Sequence, residues 1–130
     1  MNLSVVGAGH VGLVTGACFA ELGHRVVMVD NDAKRIASLK QGRMPYYEPG
    51  LKELVGGGVR ERRLSFTASL KEGVAKSTII FIAVGTPQKA TGEADLVYIE
   101  HVARSIARYM SSYRLVVEKS TVPVQTGQWV

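Results

Sequence analysis

Residues 5–12 read VVGAGHVG. An apolar run, Leu3 to Val6, enters this stretch and a helical pattern leaves it, so Gly7, Gly9 and Gly12 stand at a strand-to-helix turn with the spacing G-x-G-x-x-G. Gly7 permits the tight turn, Gly9 lets the backbone approach a pyrophosphate, and Gly12 lets helix and strand pack closely. The free N–H groups at the start of a helix hold negative charge. His10 lies inside this loop within reach of phosphates, and Val11 belongs to the same helix start.

Asp30 closes the second apolar run, RVVMV at 25–29, at about the ~20-residue distance where a carboxylate accepts both hydroxyls of an adenosine ribose. Strand, glycines, helix and acid in this order predict dinucleotide binding. The plainer reading, in which the glycines only shape a turn and the acid only caps a helix, leaves that order unexplained. A carboxylate repels a 2′-phosphate, which favours NAD over NADP, while the neighbouring Lys34 and Arg35 speak for NADP.

Further along, apolar runs of strand length recur at 64–67 (LSFT), 78–84 (TIIFIAV) and 114–118 (RLVVE), giving five strands with the runs at 3–6 and 25–29. Between them, Val11, Val14, Cys18 and Leu22 recur at helical spacing, as do Ile99, Val102, Ala103, Ile106 and Met110. TIIFIAV, apolar nearly throughout, is the pattern of a strand covered on both faces. The expected fold is therefore α/β, a Rossmann-like doubly wound parallel sheet in one domain. Asn31 or Asp32 can cap a helix that closes near Gly42, and Asp95 can cap the last long helix. The stretches 42–58 and 85–95, rich in Gly and Pro, are expected to be long functional loops.

AVGTP at 83–87 ends the fourth strand at the carboxyl edge of the sheet, where ligands of such folds bind, so Val84, Gly85 and Thr86 are cofactor candidates. Pro87 is equally well explained as part of a turn. The fifth strand delivers Glu118, Lys119, Ser120 and Thr121 to the same edge. Two readings of Ser120 and Thr121 stand side by side: hydroxyls that hold a water or a substrate oxygen, and turn or cap chemistry ahead of Pro123.

Composition limits the remaining possibilities. The chain has 130 residues, 46% of them apolar, enough for one globular core. No run approaches the ~18 apolar residues that span a bilayer, and the N-terminus lacks a secretory signal, so a soluble, cytoplasmic protein without a membrane partner is expected. A lone cysteine excludes an internal disulfide framework and a cysteine-based zinc cage, and no metal site is expected. Cys18, mid-helix on the Val14–Leu22 stripe, reads as a small buried hydrophobe. The net charge of +5 is densest in RERR at 60–63, but the other cations are scattered without interleaved aromatics. That argues for ordinary surface over a nucleic-acid footprint, and the same charge suits an anionic cofactor or sugar nucleotide. His24 and His101 have no partner that spacing identifies, and no catalytic histidine is proposed.

Four stretches taken together, VVGAGHVGLVTG, MPYYEPGLKELV, VGTPQKATGEADLVYIE and VVEKSTVPVQTG, resemble the N-terminal NAD-binding domain of the UDP-glucose/GDP-mannose dehydrogenase family across essentially all 130 residues. The YYEPGL form is more similar to the family's UDP-glucose branch than to its GDP-mannose branch. The resemblance implies oxidation of a sugar nucleotide's primary alcohol in two hydride transfers to NAD, with a cysteine thiol holding the aldehyde. It makes Gly7 to Gly12 the pyrophosphate loop, Asp30 and Arg35 the adenosine-ribose contacts, Thr86 a cofactor contact, and Thr121 a catalytic helper that orders the water. It also implies that the nucleophilic cysteine, a lysine and an asparagine lie in later domains; Cys18 does not match that cysteine's motif. On this resemblance residues 1–130 are part of the first domain, ending before the sheet's last strand, and the central helix and the C-terminal sugar-nucleotide domain lie outside the chain. Alone, the chain is expected to be inactive; the full-length enzyme is expected to be a homo-oligomer. A freestanding NAD-binding sensor is the alternative of another class. A two-domain dehydrogenase of the 6-phosphogluconate or hydroxyacyl-CoA type shares the fold, but YYEPGL and KSTVP argue against it.

Overall fold

The computed structural model describes residues 1–92, 94–123 and 126–129; Glu93 and residues 124–125, within two of the quoted motifs, lie outside that set, as does Val130. Among the described residues, five strands, β1 (Asn2–Val6), β2 (Arg25–Val29), β3 (Leu64–Thr67), β4 (Ile79–Ile82) and β5 (Leu115–Glu118), form one parallel sheet in the order β3-β2-β1-β4-β5. Helices described between or after them are α1 (His10–Glu21), α2 (Ala33–Lys40), α3 (Leu51–Arg60), α4 (Leu70–Lys76), α5 (Val97–Tyr109) and the short α6 (Thr126–Trp129). The order reverses direction after β3, which puts β1 and β4 side by side at the topological switch point.

Strand alternation divides the core into two layers. Leu3, Val5, Val26 and Met28 face one cluster with Leu13 and Ala17 of α1, Ile36 and Leu39 of α2, and Leu51 and Val55 of α3. Val6, Val29, Ile80 and Ile82 face the other, with Val74 of α4 and Ile106 of α5. Helices thus cover both faces of the sheet, as the apolar strands require. Ser4, a polar residue on the second face, is buried, and its hydroxyl accepts from Ser77 Oγ at 3.0 Å.

The α1 stripe differs from the one read by periodicity. Val11, Cys18 and Leu22 are exposed and Val14 is half-buried, while Gly12, Leu13, Gly16, Ala17 and Ala20 face the sheet. Close approach decides this. A Cβ on Gly12 would lie 1.8 Å from the Gly7 carbonyl oxygen and one on Gly16 2.2 Å from the Met28 sulfur, so the small-residue face is the one that fits. Cys18 is therefore an exposed thiol and not a core residue.

The stretch 42–58 is likewise not all loop. Helix α3 runs from Leu51 through Gly56, Gly57 and Gly58, a sequence of poor intrinsic helix propensity. Tertiary packing overrides that propensity: Leu51 and Val55 are buried, and Gly58 packs so near Leu64 and Ala20 that a Cβ would lie 3.0 and 3.3 Å from their Cβ atoms. Asp32 caps α2, accepting the Lys34 and Arg35 N–H groups at 2.9 and 3.1 Å. Asp95 accepts the Val97 N–H at 3.1 Å, at the start of α5.

Candidate functional site

The glycine turn is held from both sides. Gly7 takes φ +105°, and its N–H donates to Val29 O at 2.7 Å. A Cβ there would sit 2.4 Å from Ala83 O, so the turn closes against the end of β4 only with glycine. Among the described residues, nothing lies within 4 Å of a Cβ built on Gly9, which leaves room for a ligand beside the chain. Gly9 is also the N-cap of α1 and supplies no side-chain cap. Uncapped first-turn N–H groups and the positive end of a 12-residue helix form an anion site.

Asp30, 6% exposed, follows β2. Its Oδ2 accepts the Ala8 N–H at 2.8 Å and Arg35 Nη1 at 3.0 Å, and its Oδ1 accepts the Asp32 N–H at 2.9 Å. A carboxylate offers about four acceptor positions. With three donors in place, one position on Oδ1 remains for a further donor. The N–H of Arg35 holds the Asp32 carboxyl below its ordinary range, with the Lys34 N–H and the charges of both residues adding to this. Arg35 is engaged by Asp30, and Lys34 is exposed on the surface of α2.

The carboxyl ends of β4 and β5 meet next to the turn. Thr86 Oγ1 donates to Thr121 O at 3.0 Å, the Lys119 N–H donates to Ile82 O at 2.8 Å, and the Ser120 N–H donates to Glu118 Oε1 at 2.6 Å. Ser120 thus takes part in the turn. Thr121 is exposed, and its hydroxyl has no hydrogen-bond partner among the described residues. Among the described residues, Glu118 Oε2 is buried without a partner.

A cleft of about 650 Å³ runs across these strand ends. Gly7, Gly9, Asp30, Arg35, Val84 and Gly85 line one side, and Ser69, Leu70 and Lys71 at the start of α4 with Tyr98, His101 and Val102 of α5 line the other. Sequence reasoning missed this second wall. The available signal was the polar and aromatic face Tyr98–His101–Ser105 on a helix whose opposite face is apolar. Also missed was the role of the 44–50 loop, whose Tyr46 Oη donates to Gly9 O at 3.0 Å and to His10 O at 3.2 Å. Burial, with the Glu48 charge second, pushes the Tyr46 phenol up to about 12.

A glycine turn feeding an uncapped helix, an acid after the second strand and a cleft over the switch point define a dinucleotide-binding Rossmann domain. The chain belongs to the UDP-glucose/GDP-mannose dehydrogenase family and is its NAD binding domain, with residues 1–130 matching the family. It is 50% identical to the UDP-glucose 6-dehydrogenase TuaD of Bacillus subtilis, covering 99% of this chain and 28% of that protein. Among solved structures it resembles a UDP-glucose dehydrogenase from Pyrobaculum islandicum (TM-score 0.92, 47% identity, 96% of this chain and 30% of that one). A GDP-mannose dehydrogenase from Pseudomonas aeruginosa gives a TM-score of 0.93 at 41% identity, covering 98% of this chain and 30% of that one. The chain therefore spans less than a third of the length of these relatives. Among the described residues, no helix is long and apolar enough to cross a membrane.

Proposed function

We propose that this chain is the cofactor-binding part of a nucleotide-sugar dehydrogenase that oxidises UDP-glucose to UDP-glucuronate in two hydride transfers to NAD. The observation that carries the substrate is the 50% identity to a UDP-glucose 6-dehydrogenase over 99% of the chain. GDP-mannose is the second reading, favoured by the 41% identity to the Pseudomonas aeruginosa enzyme.

The residues fit NAD. The Gly7–Gly12 turn, with His10 and Val11, would hold the pyrophosphate; Asp30 and Arg35 would hold the adenosine ribose; and Val84, Gly85 and Thr86 would flank the cofactor as it crosses the switch point. When bound, NAD supplies the hydride acceptor. Ser120 shapes the turn after β5, which would bring Thr121 to the nicotinamide end. The free hydroxyl of Thr121 is suited to orienting a water, a helper's role. Cys18 lines no part of the cleft, so the thiol for covalent capture of the aldehyde would come from domains beyond this one. By itself the chain would bind NAD without turning over a sugar nucleotide. We place the enzyme in the cytoplasm as a homo-oligomer; a lone cysteine suits a reducing compartment.

The test is stoichiometric: NADH formed per UDP-glucose consumed by the complete protein, with GDP-mannose in parallel. Two NADH per UDP-glucose is expected. One per sugar, or none with either substrate, overturns the reading.

A further inference from the structure

Two side chains of the loop between α2 and α3, Tyr46 and Glu48, reach the start of α1. Tyr46 Oη donates to the Gly9 and His10 carbonyls at 3.0 and 3.2 Å, and its ring lies against the His10 imidazole, with centroids 4.6 Å apart and planes inclined by 32°. Glu48 Oε2 lies 3.2 Å from His10 Nε2. The helix does not need these contacts, because Gly9 O already accepts the Leu13 N–H at 2.9 Å. The imidazole they fix is exposed and begins the helix that carries the anion-binding N–H groups.

We propose that Tyr46 and Glu48 are positioning residues for the pyrophosphate, acting through His10. Tyr46 fixes the backbone of the turn, while Glu48 engages Nε2–H and leaves Nδ1 as the nitrogen free to meet a phosphate oxygen. This rests on the NAD reading of the turn. With Nε2–H committed to Glu48, Nδ1 can donate only if the ring carries a second proton. Starting from a singly protonated ring, contact with a phosphate oxygen therefore requires a proton taken from solvent, and the ring then bridges carboxylate and phosphate. Binding is then coupled to proton uptake.

The surrounding charges agree with this sense. Glu48 and the arriving phosphates favour the imidazolium. The positive end of α1 opposes it, while Arg35, which also acts on Tyr46, is offset by its 3.0 Å pair with Asp30. The Tyr46 phenol is neutral at neutral pH, so the ring stacked on His10 adds no charge.

The experiment is calorimetric titration of NAD into the full chain at about pH 7.5, above the ordinary histidine range, in buffers of different protonation enthalpy. Wild type, H10Q, E48Q and Y46F are compared, each with a melting curve to establish folding. Wild type is expected to take up a fraction of a proton per NAD, H10Q none, and E48Q less than wild type. Y46F is expected to retain uptake and bind roughly three- to tenfold more weakly. NAD binding with no uptake, or with the same uptake in H10Q, overturns the proposal. Failure of folded wild type to bind NAD overturns the NAD reading instead. The His10 ring pKa, followed by NMR against inorganic pyrophosphate, then decides: a rise that E48Q diminishes sustains the clamp, and no change sinks it.

Discussion

Asp30 and Ala8 are hydrogen-bonded to each other, Oδ2 accepting the Ala8 N–H at 2.8 Å, so the acid proposed for the ribose also fixes the shape of the glycine turn. The two motifs are one structural unit. Asp30→Asn would present an amide N–H₂ or a weaker acceptor to three donors, leaving at least one of them poorly paired. NAD affinity is expected to fall by ~tenfold or more, together with a lower melting temperature, since bonds to a charged acceptor are worth about 1.5–3 kcal/mol each. An unchanged melting curve would show that the Ala8 bond does not support the fold.

The turn glycines separate folding from binding. Gly12→Ala would drive a methyl to 1.8 Å from a backbone oxygen and should destabilise by ~3 kcal/mol or more. Gly9→Ala meets nothing within 4 Å and should melt close to wild type while losing NAD affinity. Thermal melts with and without NAD check both.

Helix α3 contains removable flexibility. A Cβ on Gly56 or Gly57 would meet only the end of the Arg60 side chain, at 3.3 or 4.0 Å. Alanine at either position is expected to stabilise by about 0.5–1 kcal/mol through helix propensity and a less disordered unfolded chain. Alanine at Gly58, tight against Leu64 and Ala20, should give no such gain. Denaturant midpoints for the three variants test the contrast.

Tyr46 predicts an alkaline limb. Its folded-state pKa is raised from 10.0 to about 12, so between those values the folded protein retains a proton that the unfolded chain releases. Stability tied to this phenol is complete below pH 10 and is lost as pH rises toward 12. Tyrosinate absorbance should show one late-ionising group that is missing in Tyr46→Phe, and the variant's stability should fall less steeply over that range.

The fold was legible where one residue type has one use. Gly7, Gly9, Gly12 and Asp30 stand where their spacing put them, and the doubly covered strands read directly as a parallel sheet. The stripe of α1 was not legible, because periodicity weighs a side chain by its hydrophobicity, whereas Gly12 and Gly16 face the sheet for lack of one. α3 was hidden by three consecutive glycines whose cost is offset by tertiary contacts. The Tyr46 and Glu48 contacts span 36 to 38 positions along the chain, beyond any local pattern. YYEPGL could therefore mark the family without disclosing what those residues touch.

The bond from Thr86 Oγ1 to Thr121 O joins the loop after β4 to the loop after β5. A neutral hydrogen bond at an exposed position is worth ~1 kcal/mol, which leaves it open in roughly one molecule in six. It acts as a latch rather than a lock: the two loops would travel together most of the time yet part with little hindrance, so the space between them could widen without any larger opening of the domain.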